Sequence, residues 1–300
     1  MIRVKKAAFL LFALALATPA WAAEEPAGVE AMAGTLFHVG PLPVTNSMLM
    51  TWIVALGLIV LVRLAVGKPQ LVPTRGQAIV ENLLEYIRDI VGPIIGKRAI
   101  AAAFPLLIGL FVFILIQNWS GLIPGVGTIM MRSHTTGEWM ELVRPAGADM
   151  NSTIALSFCA FVAGFILVLR FAGPKVILVD LFGNKADKND VSPFVYYPLS
   201  LVFILVGFLE LVSIFFARPI SLSFRLYGNI FGGENLLHSM SAITRWGLPL
   251  PFYGMEILVG AVQAFVFTLL IAVYIGLLTS HGDHDHGPEA SAGAHPPSHH

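Results

Sequence analysis

The chain has 300 residues, 56% of them hydrophobic and only 12% charged, with a formal net charge of zero. An ordinary soluble domain is roughly 25% charged, so this composition excludes one, and the balanced charge offers no basic surface to nucleic acid. A single cysteine, Cys159, excludes both an intramolecular disulfide and a cysteine metal cluster. What remains is an all-α polytopic membrane protein.

Residues 1–22 read as a signal-like segment. Arg3, Lys5 and Lys6 form a basic head, residues 7–17 an apolar run, and Ala20-Trp21-Ala22 a small-x-small cleavage site ahead of Glu24 and Glu25. An uncleaved anchor is the alternative, although about 11 apolar residues fall short of the ~20 that a span needs. Either way the chain from Glu24 starts outside the cytoplasm. Residues 23–45, rich in Gly, Pro and Ala, form an extracytoplasmic lead to a membrane domain over 46–279.

The first span covers Asn46–Val66 and is closed by Gly67-Lys68-Pro69. Residues 72–91 are amphipathic instead, with Ile79, Leu83, Ile87 and Ile90 on one face and Gln77, Glu81, Glu85 and Arg88 on the other. That pattern predicts an interfacial helix lying on the membrane, or else a soluble helix in a cytoplasmic loop. Residues 100–119 form the second span, with Gln117, Asn118 and Ser120 at its far end before Gly121-Leu-Ile-Pro124-Gly. An outer loop over 125–150 precedes the third span at 151–171, for which Asp149 and Asn151 are capping candidates. Residues 173–192 make a polar inner loop.

Residues 198–244 carry one internal proline, Pro219. As one helix they would be about 70 Å long, against a hydrocarbon core of ~30 Å. They form either two spans or one steeply slanted helix bent near Pro219. Gly247, Pro249 and Pro251 then act as a hairpin breaker before a final helix over 252–278. With five crossings, Lys68, Arg75, Arg88, Lys97, Arg98, Arg170, Lys175, Lys185 and Lys188 are cytoplasmic, and Arg132, Arg144 and Arg245 are outside, in line with the positive-inside rule. The tail, 280–300, holds six of the nine histidines. It reads as a flexible solvated tail or tag remnant, with metal binding as the alternative.

Charge inside apolar sequence carries the functional signal, because an ionisable residue at the bilayer centre costs at least ~2.5–3.5 kcal/mol. Residues 210–263 hold Glu210, Arg218, Arg225, Asn229, Glu234, His238, Arg245, Glu256 and Gln263. Taking Arg225 as zero at about 100° per residue, Asn229 falls near 40°, Gly232 near −20° and Leu236 near 20°. Gly232 on that face lets another helix come close. Glu234 and His238 fall on the opposite face as an i, i+4 pair. On the last helix Glu256, Gln263 and Tyr274 fall within about 20° of one line. Folding back at Pro249 and Pro251 brings Glu256 to Glu234 and His238, and two carboxylates with an imidazole at a wet cavity can relay protons. Arg225 cannot relay by losing a proton, its pKa being above ~12, but it can draw a partner carboxylate into the ionised form. The plainer readings are a snorkelling Arg218 and a structural Glu234–His238 hydrogen bond.

The block Arg225-Leu-Tyr-Gly-Asn229-Ile-Phe-Gly-Gly-Glu234, followed by Gln263-Ala-Phe-Val-Phe, resembles the a subunit of the membrane sector of F-type ATP synthases. The similarity extends over residues 44–278, through Val44-Thr-Asn-Ser-Met, the Asn118 to Pro124 turn and Asp149-Met-Asn151-Ser-Thr. The resemblance implies a long slanted helical hairpin against a ring of c subunits, each with a mid-membrane carboxylate. It also implies b subunits of a peripheral stalk and the rest of the complex as partners, surrounding lipid and no cofactor. Arg225 resembles the stator arginine, Asn229 and Gln263 its polar neighbours, and Glu234 and Glu256 the outer half-channel groups. His238 has no counterpart in the family pattern. Glu210 corresponds to the inner half-channel, with an interval to Pro219 one residue longer than usual, and Gly121 stands where some relatives have an acid. The expected role is a subunit without covalent chemistry of its own, in a bacterial inner membrane, with a cytoplasmic C-terminus. A secondary ion transporter with a Glu/His/Arg relay is the alternative, but it would usually show internal repeats; none is visible. An intramembrane metalloenzyme would need a motif such as H-E-x-x-H, which the spans lack.

Overall fold

The computed structural model describes residues 33–123, 126, 129–132, 139–174, 193–243 and 249–280. The signal-like segment, most of the inner loop, Arg245, Gly247 and the histidines of the tail lie outside those residues. Five helices are long and apolar enough to cross a membrane, and the fold is all-α and polytopic.

The described chain opens with a short hairpin, β1 (Thr35–Val39) with β2 (Leu42–Thr45), within the segment read as a lead. Gly40, at φ 63°, makes its turn. Thr45 caps α1 (Asn46–Val66) by accepting from the Met48 amide at 3.3 Å, and Gly67, at φ 57°, ends it. Beyond Val54 most of α1 faces outward, with Leu56, Ile59 and Leu64 exposed, as a peripheral span requires.

Helix α2 (Arg75–Ile95) is the amphipathic one. Its buried face is Ile87, Val91 and Ile95, packed against the last helix. Two face assignments change here. Ile79 is exposed, and Gln77 is buried because its side chain is satisfied by the Gln70 carbonyl at 3.0 Å and by Glu81 at 2.8 Å. Helix α3 (Ile100–Ser120) follows, then a second small hairpin, β3 (Met130–Arg132) with β4 (Trp139–Glu141). A 3-10 turn (Ala146–Ala148) leads into α4 (Met150–Phe171), capped by Asp149, which accepts from the Asn151 amide at 3.1 Å.

Asp149 also accepts from the Ser47 hydroxyl at 2.8 Å, and Asn46 donates to the Glu141 carbonyl at 3.0 Å. These contacts tie the start of α1, the second hairpin and the start of α4 into one cap at that end of the bundle.

Helix α5 (Pro193–Val212) runs through a π turn (Ser213–Ala217) into α6 (Arg218–Ile243). Residues 201–243 are one unbroken helical stretch of 43 residues, the slanted-helix alternative rather than two spans. The helix irregularity lies in the turn just before Pro219. The last helix, α7 (Pro249–Ser280), starts at Pro249. That is three residues before the expected start at 252, so Pro249 and Pro251 lie within the helix. They occupy the first turn, where a missing N–H costs nothing.

Helix α7 is the hub, packing against α2, α3, α4 and α6. Phe267, Ile271 and Ile275 are fully buried along it. At Gly276 the helices approach so closely that a Cβ would collide with the backbone carbonyl of Ile94.

Candidate functional site

Glu234 lies on α6 and Glu256 on α7, and the hairpin brings them to one cavity of about 240 Å³. His238, Ser241, Tyr253, Glu141, Asn118 and Gly121 share its wall. At about 30 Å³ per water in the liquid, it has room for several. Glu234 and Glu256 are half-buried and His238 is exposed, so the three expected relay groups meet at a space that reaches the surface.

The helices close around this cavity through small contacts. Asn118 donates to the Gly260 carbonyl at 2.9 Å and Trp119 to the Ile257 carbonyl at 3.0 Å, fixing the end of α3 on α7. Gly233 has a bare Cα against the Glu256 carboxylate, where a Cβ would collide with it. At Gly121 a Cβ would sit 2.8 Å from Pro145 Cγ. An acidic side chain at that position would therefore have to displace Pro145.

One member of the cluster was missed. Arg144, counted above only as an outer-loop charge, is 3% exposed. Its Nη2 approaches Glu234 Oε2 at 3.8 Å. The loop after β4 delivers it, and the cap holds that loop in place. Its neighbours Pro145 and Ala146 hinted at a constrained backbone, but nothing in the spacing connects position 144 with position 234.

Arg225 stands apart. It is exposed on α6, on a strip with Ser221, Phe224, Gly228 and Gly232. Among the described residues no carboxylate pairs with it. Asn229, one turn on, is half-buried and donates to Gln263 Oε1 at 2.9 Å. Gln263 is buried, so this bond crosses from the arginine strip into the α6–α7 seam. Leu236 is half-buried rather than on the open strip.

Toward the opposite end, Arg218 is not a snorkelling residue. Its guanidinium sits over the Tyr274 ring, 5.8 Å from the centroid, within range of a cation–π contact. Tyr274 is itself buried against Phe161. Glu210 is half-buried on α5, about 20 Å along the helix from Arg225, and the structure does not bring it to the outer cluster. A second cavity, about 310 Å³, lies among α1, α3, α4 and α6 and is lined by Trp52, Phe113, Leu226 and other largely apolar side chains. It carries no carboxylate or imidazole.

The family model described as ATP synthase A chain matches residues 48–276. The chain belongs to the ATP synthase a-subunit family. It is 32% identical to the ATP synthase subunit a of Moorella thermoacetica over 80% of this chain and 93% of that one. It is 34% identical to the ATP synthase subunit a of Gloeobacter violaceus over 86% of this chain and 94% of that one. The matched region contains every intramembrane site residue named above. In this member of the family Glu234 and His238 of the cavity and the exposed Arg225 therefore lie on one helix of an ATP synthase membrane subunit.

Proposed function

We propose that this chain is the proton-conducting, non-catalytic a subunit of an ATP synthase in a bacterial inner membrane, the stator against which a ring of c subunits turns. The observation that carries this reading is the separation on α6 of Glu234 and His238, which line a shared cavity with Glu256, from an exposed arginine outside it. Protons enter from outside through the cavity at Glu234, His238 and Glu256 and neutralise a c-subunit carboxylate. A neutral carboxyl can face lipid, whereas a charged one costs at least ~2.5–3.5 kcal/mol there. The ring turns until that carboxyl reaches Arg225. The guanidinium keeps its charge and favours the ionised carboxylate, so the proton leaves through an inner half-channel near Glu210.

Asn229 and Gln263 hold the α6–α7 seam behind the arginine. The mature N-terminus is outside and the C-terminus cytoplasmic, and b subunits of the peripheral stalk keep the chain from turning with the ring.

The test uses membrane vesicles carrying the assembled complex. Arg225→Ala should abolish ATP synthesis while passive proton conductance persists or rises, since the barrier between the half-channels has gone. Arg225→Lys should also largely fail, because a compact hydrated ammonium lacks the planar fork of the guanidinium. Near-normal synthesis in Arg225→Ala would refute the stator assignment.

A further inference from the structure

The π turn Ser213–Ala217 interrupts an otherwise α-helical stretch. Such a turn closes its hydrogen bonds over one more residue than an α turn, so it absorbs one extra residue between two α-helical segments. The burial pattern shows what that residue does. Before and into the turn the inward positions are Gly207, Glu210, Leu211 and Ile214, buried or half-buried.

At about 100° per residue, an uninterrupted α-helix would carry this inward stripe on through Arg218, Leu222, Arg225, Asn229 and Gly232. The observed stripe after the turn is Pro219, Leu222, Ser223, Leu226, Ile230 and Gly233, all buried. Arg225, Gly228 and Gly232 are exposed instead. The inward stripe has moved one residue later in sequence while staying on the same side in space.

We propose that the Ser213–Ala217 π turn is a positioning element, which sets the rotational phase of α6 so that Arg225 faces outward while Gly207, Leu211 and Ile214 stay on the inward side. With the same residues wound as a continuous α-helix, keeping Gly207, Leu211 and Ile214 inward would turn Arg225, Asn229 and Gly232 into the α4–α7 side. Pro219 supports this placement of the irregularity. Its missing N–H leaves the preceding turn one bond short, and the wider winding sits there rather than elsewhere in the stretch. The functional consequence rests on the stator reading of Arg225; the geometric claim does not.

The proposal predicts an asymmetry at one point in the chain. Deleting Phe216, an exposed residue of the turn, leaves the number of residues that an ordinary α turn accommodates, with both buried stripes in place. Inserting one alanine after Phe216 adds a residue that the turn has no means to absorb and rotates one segment by about 100° against the other. In vesicles the deletion should assemble and retain ATP-driven proton pumping, and the insertion should lose it.

A readout free of function accompanies this. In the full-length chain in detergent, with Cys159→Ala, a maleimide should label Gly228→Cys and spare Ser223→Cys, both without and with the deletion. The insertion should disturb that contrast. Failure of the deletion variant to assemble, equal loss from deletion and insertion, or a silent insertion would each overturn the proposal. If Arg225→Ala itself pumps normally, the stator reading falls, and the labelling pattern alone then decides for or against the turn.

Discussion

Two positions on α6, about 14 Å apart along its axis, treat charge in opposite ways. Glu234 is surrounded by fixed protein: Arg144 approaches it from a loop, Glu256 from α7, and the cavity wall is completed by α3 and by the segment preceding the 3-10 turn. Arg225 looks out from an open strip edged by Gly228 and Gly232. The enclosed group has its partners within the chain, and the exposed one has its counterion to find elsewhere. The proposed stator role requires that difference. A cation satisfied internally could not act on a passing carboxylate, and a relay open on all sides would not confine protons to one path.

The comparison would break most visibly if the enclosed cluster were dispensable. Glu234→Leu combined with Glu256→Leu removes both carboxylates from the cavity while keeping the side chains bulky. ATP-driven proton pumping should fall by roughly 10²-fold, the lower end of what a positioned proton-transfer group contributes, with the complex still assembled. Unchanged pumping would take both residues out of the path.

Much of this contrast was legible before the fold was known. The bounds of α1 follow from an apolar run and a glycine stop, and the structure reproduces them at Asn46–Val66. Helical phase put Glu234 and His238 together, and the hairpin brought Glu256 to them. The misses share a physical cause, which is that periodicity describes a helix and says nothing about loops or exceptions. Arg144 belongs to a loop, so no phase connects it to α6. Hairpins of three- to five-residue strands are too short for an alternating pattern to stand out. The π turn left one trace, the extra residue between Glu210 and Pro219. Pro249 and Pro251 put the expected start of α7 three residues late, because a proline in a first helical turn and one before it look alike in sequence.

A sharper version of the comparison asks how far Glu234 depends on Arg144. The Nη2–Oε2 distance of 3.8 Å is long for an ion pair, and the adjoining cavity gives the carboxylate access to water. Arg144→Gln should therefore cost about 1–3 kcal/mol, the penalty of a buried polar group losing its partner. If the charge pair is the reason, Glu234→Gln should recover part of that loss in the double variant. Chemical unfolding of the full-length chain in detergent, run as a double-mutant cycle, measures it. Agreement with simple additivity within ~0.5 kcal/mol would assign Arg144 to loop packing alone.

The smallest expected effect is also the most selective. Gly233→Ala places a methyl group where the Glu256 carboxylate now lies. The atoms in its way are the far end of a flexible side chain, so Glu256 can rotate aside without separating α6 from α7. Exchanging glycine for alanine inside a helix by itself favours the helix by about 0.5–1 kcal/mol. Stability should thus hold or rise slightly while pumping drops, by less than in the double leucine variant, since Glu256 keeps its charge and loses only its position. Gly276→Ala serves as the opposite control. There the obstruction is the backbone carbonyl of Ile94, which cannot step aside, so stability itself should fall. Measuring unfolding and pumping for both variants separates an acid that must stand at one place from one that need only be present. Full pumping in Gly233→Ala would show that the position of the Glu256 carboxylate does not matter.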